Sequence, residues 1–277
     1  LIGGMWVMNI SYWGFNQYII QRALAAKDLA EAQKGIAFAA YLKILVPFFV
    51  VVPGIAASVL FTDLDRADQA YPSLMNLMPV GLKGLVFAAL FAAIVSSLAS
   101  MCNSISTIFT MDIYSHFKKD KSQSHYVKVG RIVSIVALII AMICARPLLG
   151  QFEQAFQYIQ EFTGFFTPGI VVIFLLGMFW KTMNSAGAIT AAVGSAALSI
   201  LFKIAFPSLP FMDRVGVVFL ACIALAVLAS IATRKKYVAG GTGVVSLDKV
   251  NFDTTGSFNI LGIGIVVILT ALYATWW

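Results

Sequence analysis

The stretch Trp6-Val7-Met8-Asn9-Ile10-Ser11-Tyr12-Trp13-Gly14-Phe15-Asn16-Gln17 places amide, hydroxyl and aromatic groups inside an apolar run from Leu1 to Ile20. A lipid-facing helix avoids unpaired amides, because hydrocarbon offers them no partner. The stretch therefore reads as the lining of a site. A second candidate is Lys43, whose ammonium donates without accepting and so suits hydroxyls or a carboxylate. A third is the helical face Ser96, Ser100, Asn103 and Thr107, spaced i, i+4, i+7 and i+11. It is either a small-residue packing face, each hydroxyl returned to a carbonyl one turn back, or a set of hard oxygens. On the second reading the serine hydroxyls and the Ala93 carbonyl hold a small cation; spacing alone favours packing. A fourth candidate lies in Phe156-Gln157-Tyr158-Ile159-Gln160-Glu161-Phe162-Thr163-Gly164. Gln160 and Glu161 are adjacent, so they point about 100° apart and cannot both face one ligand squarely. Glu161, the only carboxylate well inside an apolar run, is expected to pair with a donor on a neighbouring helix.

The elements that must position these residues are membrane spans. Hydrophobic residues make up 60% of the chain and charged residues 11%, and mean hydropathy is +0.91, far from a soluble composition. Apolar runs of about 20 residues predict eight transmembrane helices, over residues 1–21, 35–61, 82–113, 128–147, 155–180, 185–206, 213–233 and 257–277. The fold class is an all-α polytopic membrane protein. The net charge of +7 sits in short loops and does not form a nucleic-acid face.

Charge orients the spans. Of the 19 Lys and Arg residues, 13 fall after spans one, three, five and seven. These are Arg22, Lys27 and Lys34, then Lys118, Lys119, Lys121, Lys128 and Arg131, then Lys181, and last Arg234, Lys235, Lys236 and Lys249. The opposite loops hold Arg66, Lys83, Arg146, Lys203 and Arg214, with the acidic cluster Asp63, Asp65 and Asp68. The positive-inside rule then runs the odd spans inward and leaves both ends outside. The first residue is Leu1, with no initiator Met, so an N-terminal part is expected to be missing.

Between the spans, Asp28, Glu31 and Lys34 predict a short helix with same-face ion pairs. Lys43 lies about 13 Å along the helix from Lys34, where it either snorkels or faces a cavity. Pro47 and Pro53-Gly54 follow, and such helix-loosening residues occur where transporter helices line a cavity. Residues 62–81 form a polar outer loop, read as a lid with a short helix or as plain surface. His116 and His125 read as solvated. Gly164 and Pro168 free backbone groups mid-membrane, which requires a protein or aqueous surround. Cys102, Cys144 and Cys222 lack metal-ligand spacing and read as small packing residues. Spans six to eight carry few polar groups and read as peripheral packing.

Three runs carry a resemblance. Tyr12-Trp13-Gly14-Phe15-Asn16-Gln17-Tyr18-Ile19-Ile20-Gln21-Arg22, the segment from Phe87-Ala88-Ala89-Leu90 to Met111-Asp112-Ile113-Tyr114, and Ala155-Phe156-Gln157-Tyr158-Ile159-Gln160-Glu161 resemble the sugar branch of the solute:sodium symporter family. The resemblance covers nearly the whole chain. It implies the second half of a five-plus-five inverted-repeat, leucine-transporter-like fold, with residues 1–180 as the second repeat and 181–277 as three C-terminal helices. The first repeat, in the missing N-terminal half, would complete the site. Position by position, it implies that Asn9, Lys43 and Gln160 bind sugar hydroxyls. Tyr12 becomes the inner gate braced by Trp13, and Phe156 an outer-gate aromatic. Ala93, Ser96 and Ser97 become sodium ligands, which reverses the preference from spacing.

The implied activity is sodium-coupled symport of a galactose- or glucose-like hexose across the plasma (inner) membrane by alternating access. Sodium is a co-substrate and no cofactor is expected. Rivals are a same-fold symporter for an inositol, an amino acid or a carboxylate, or a membrane sugar sensor. An enzyme is not expected, since no nucleophile–base pair or metal cluster appears in the spans.

Overall fold

The computed structural model describes residues 2–62, 64–149, 155–234, 245–246 and 250–276. All regular elements among them are helical. In chain order these are α1 (Ile2–Ile10), a π turn (Ser11–Phe15), α2 (Gln17–Leu24), α3 (Leu29–Leu60), a short 3-10 turn (Ala67–Gln69) and α4 (Ala70–Asn76). There follow α5 (Val80–Thr107), a second π turn (Ile108–Tyr114), α6 (Ser115–Phe117), α7 (Gln123–Leu149), α8 (Ala155–Gly164) and α9 (Thr167–Phe179). The chain closes with α10 (Ser185–Ala205), α11 (Phe211–Ala232) and α12 (Gly256–Trp276). Among the described residues, six helices are long and apolar enough to cross a membrane, and α8 with α9 makes a seventh if that pair, bent by 44°, is one span.

The first expected span is not a continuous helix. The π turn widens the ladder, and Asn16 leaves it altogether with extended backbone (φ −87°, ψ 113°). The Asn16 carbonyl then restarts a helix by accepting from the Ile19 and Ile20 amides at 3.1 and 3.0 Å. The short helix expected around Asp28, Glu31 and Lys34 is instead the start of α3. Asp28 caps it, accepting from the Glu31 amide at 2.8 Å, and Glu31 pairs with Lys34 at 2.8 Å. An Asp at an N-cap satisfies an orphan N–H. Pro47 and Pro53 both lie inside α3, which runs unbroken for 32 residues. The loop between α3 and α5 holds a short helix, α4, as one of its two readings allowed, with Lys83 Nζ donating to Asn76 Oδ1 at 3.0 Å. His125 departs from expectation: it is half-buried on the first turn of α7 and hydrogen-bonds the Tyr114 hydroxyl at 3.0 Å. Asp63, Lys235, Lys236 and Lys249 of the charge pattern lie outside the described residues, as does the Arg146 side chain.

The chain divides into two compact units. The first comprises residues 1–24 and 156–255. Its core is small and tight: Val172, Ala191, Val218, Cys222 and Ala226 are fully buried where α9, α10 and α11 meet. α1 crosses α11 with Gly4 against the Met212 backbone and Gly3 against Gly216, the close approach that glycine permits between membrane helices. Asn184 ties the start of α10 to the end of α11. Its Oδ1 caps α10 at the Gly187 amide, and its Nδ2 donates to Ser230 O at 3.1 Å and Thr233 Oγ1 at 3.0 Å.

The second unit comprises residues 25–155 and 256–277. α5 packs on α7 through small and hydroxylated residues: Ser134 Oγ donates to Gly130 O at 3.1 Å and Cys102 O at 3.4 Å. α3 meets α12 where Tyr41 donates to the Leu261 carbonyl at 3.0 Å, its hydroxyl lying against Gly264. Most remaining apolar side chains are exposed, as lipid-facing residues must be.

Candidate functional site

The predicted site residues are distributed over both units. Asn9, Tyr12, Trp13, Phe156 and Gln160 stand in the first; Lys43, Ala93, Ser96 and Ser97 stand in the second. Each group takes its geometry from its own unit.

In the first unit, Tyr12 and Trp13 occupy the π turn. Their rings meet edge to face at 5.3 Å, and Tyr18 donates to the Tyr12 hydroxyl at 2.7 Å across the Asn16 bend. The turn is anchored by Phe15, stacked on Phe174 of α9 with ring centres 4.8 Å apart. Short π turns recur at functional sites because they aim side chains off the regular helical face. Asn9 donates through Nδ2 to the Met5 carbonyl one turn back at 2.9 Å, which leaves its Oδ1 and second N–H for other partners.

Phe156 and Gln160 ride on α8, the first half of the bent pair. The break beyond it is backed by hydroxyls. Thr163 Oγ1 donates to Gln160 O at 2.9 Å, Thr167 Oγ1 to Thr163 O at 3.0 Å, and Ser195 Oγ of α10 to Phe165 O at 2.8 Å. The expectation that Gly164 and Pro168 loosen a backbone within a protein surround is met, since Gly164, Pro168 and Gly169 are all buried. Gly164 lies against the Phe211 ring.

Glu161 pairs as expected. Arg214 Nη2 of α11 lies 2.6 Å from its Oε1, and Lys203 Nζ of α10 lies 3.1 Å from the same oxygen. Arg214 is only 5% exposed, so this carboxylate is the counter-ion that makes its burial tolerable. One acidic side chain thus pins α8 to two neighbouring helices.

In the second unit, Ala93, Ser96 and Ser97 lie at i, i+3 and i+4 on the unbroken α5 and are exposed. They share one helix face, and a helical carbonyl keeps a second lone pair for a cation. Ser100 follows the packing alternative, donating to Ser96 O at 3.0 Å. Lys43 is exposed on α3, four residues before Pro47. Proline supplies no N–H, so the Lys43 carbonyl loses its usual helical donor.

Three engaged residues were not singled out in the sequence. Lys203 and Arg214 look like loop charges until the helices bring them to Glu161. Ser195 is one serine in the Ala-, Gly- and Ser-rich α10, and nothing in its local sequence marks it.

Residues 2–194 match the sodium:solute symporter family. The whole chain is 49% identical to a sodium/glucose cotransporter of Vibrio parahaemolyticus and covers 54% of that protein. Over 73% of the chain it is 37% identical to the mouse sodium/myo-inositol cotransporter 2, covering 33% of it. Over 77% it is 36% identical to the mouse sodium/glucose cotransporter 4, covering 35% of it. This chain belongs to the sodium:solute symporter family and is a multi-pass membrane protein. It spans about half the length of the Vibrio relative and about a third of the mouse ones.

Proposed function

We propose that the chain is the C-terminal part of a sodium-driven symporter for a glucose- or galactose-like hexose in the plasma membrane. The observation that carries this reading is the 49% identity along the whole chain to the Vibrio sodium/glucose cotransporter. Residues 1–180 form the second five-helix repeat and 181–277 the C-terminal helices. The interrupted first segment counts as a span, giving eight, with odd spans running inward and both ends outside. The other repeat lies in the N-terminal half.

The chemistry of the chosen residues suits a pyranose. The Asn9 and Gln160 amides both donate and accept and the Lys43 ammonium donates, so each can replace water stripped from a sugar hydroxyl. Tyr12, braced by Trp13 and held by Tyr18, covers the apolar sugar face from the inside, and Phe156 closes the outside. Sodium, a co-substrate, is held by the Ala93 carbonyl and the Ser96 and Ser97 hydroxyls, oxygen ligands suited to a hard cation. Sodium and sugar favour the same outward-open state, so each tightens binding of the other. The 37% identity to the mouse myo-inositol cotransporter supports a second reading, a cyclic polyol in place of the hexose.

The test is uptake by the complete protein in proteoliposomes, with glucose, galactose and myo-inositol, each with and without a sodium gradient. Gradient-driven hexose uptake is expected. Lys43→Ala and Gln160→Ala should each raise the sugar KM at least tenfold, and Ser97→Ala should raise the half-saturating sodium concentration. Uptake indifferent to sodium, or variants with unchanged constants, would refute the assignments.

A further inference from the structure

At the 44° bend between α8 and α9 the helical ladder is interrupted. In a continuous helix the Gly169 N–H would donate to the Phe165 carbonyl, four residues back. Here a side chain from another helix stands between them. Ser195 Oγ accepts from Gly169 N at 3.0 Å and donates to Phe165 O at 2.8 Å. A hydroxyl has one donor and spare lone pairs, so it occupies the gap in the ladder with both backbone groups satisfied. Insertion of a side chain into the ladder is a recognised source of helix kinks.

We infer that Ser195 is a positioning residue: its inserted hydroxyl sets the bend that aims the half-helix carrying Phe156 and Gln160. The inference rests on the sugar-site reading above for what that half-helix does. Ser195 is fully buried, so its hydroxyl fills the gap out of contact with bulk water. Gly169 lies directly against the Ala191 carbonyl and Ser195 Cβ, in space that any larger residue would fill. The packed side of the hinge is therefore rigid, built from Val171, Val172, Ala191 and Cys222, all fully buried.

The lever is long enough to matter. Gln160 lies five residues before Phe165, about 7.5 Å along the axis, so full straightening would carry it roughly 5 Å. Even a partial change exceeds what a hydrogen bond to a bound hydroxyl tolerates. Thr163 and Thr167 satisfy carbonyls within the segment itself, whereas Ser195 alone among these hydroxyls couples the bend to α10.

The experiment compares Ser195→Ala and Ser195→Cys with the unaltered complete transporter in proteoliposomes. In parallel, the distance between spin labels at positions 157 and 179 is measured in a background lacking other accessible cysteines. Ser195→Ala should raise the sugar KM at least fivefold, keep the half-saturating sodium concentration at saturating sugar within twofold, and lengthen the label distance. Ser195→Cys, which keeps a weak donor and acceptor, should fall between. An unchanged KM or label distance, or a loss confined to the yield of folded protein, would overturn the inference. If the unaltered protein takes up no sugar under a sodium gradient, the sugar reading fails while the label distance still decides the role of Ser195.

Discussion

α3 and the α8–α9 segment make an instructive pair. α3 contains two prolines, at positions 47 and 53, and stays one helix from Leu29 to Leu60. The α8–α9 segment contains one, Pro168, placed in the first turn of α9 where its missing N–H costs nothing, and yet it bends by 44°. Proline removes a ladder bond, but it does not by itself decide where a helix turns. The turn occurs where a partner offers the freed groups something better. In α8–α9 those partners are the hydroxyls of Thr163, Thr167 and Ser195, with Glu161 of α8 clamped by Arg214 and Lys203.

Three substitutions probe this contrast. Glu161→Ala should have the largest effect, because it strands a guanidinium that is 5% exposed. Breaking a buried pair costs about 3–5 kcal/mol, so thermal unfolding of the detergent-solubilised transporter should begin many degrees earlier. An unshifted transition would mean that α8 is not held by this pair. Gly169→Leu comes next, since its side chain would enter the space held by the Ala191 carbonyl and Ser195. Overpacking of about 1–3 kcal/mol is expected, seen as a lower midpoint in the same assay; a wild-type midpoint would show that the crossing is looser than described. Pro47→Ala should do least. It restores one N–H to a helix that is already continuous, and hexose uptake should stay within about twofold of the parent, the range of a few tenths of a kcal/mol. A collapse of uptake would make Pro47 a working hinge and reverse the comparison.

The legible part of the candidate site was the part encoded by composition and local spacing. An amide-rich aromatic run inside an apolar segment marked Asn9, Tyr12 and Trp13, and a carboxylate in a span announced a paired partner for Glu161. The fit to the family then selected Lys43, Gln160 and the Ala93, Ser96 and Ser97 face. The π turn at Ser11–Phe15 was not legible, because a π register depends on how Phe15 stacks on Phe174 as well as on local propensity. His125 looked solvated for a related reason. Its partner Tyr114 lies across a loop, on the preceding π turn.

What the sequence determined alone is the class of molecule: many apolar helices, polar residues at a few defined depths, and membership of a symporter family along most of its length. Hydrophobicity and residue type settle these, since a bilayer admits few other solutions for such a chain. Tertiary structure decided which interruptions become bends and which charges become anchors. Ser195 bridges Phe165 and Gly169, and Arg214 neutralises Glu161, across sequence separations of 26 to 53 residues. No local pattern encodes such pairings; they exist only once α10 and α11 pack against the broken span.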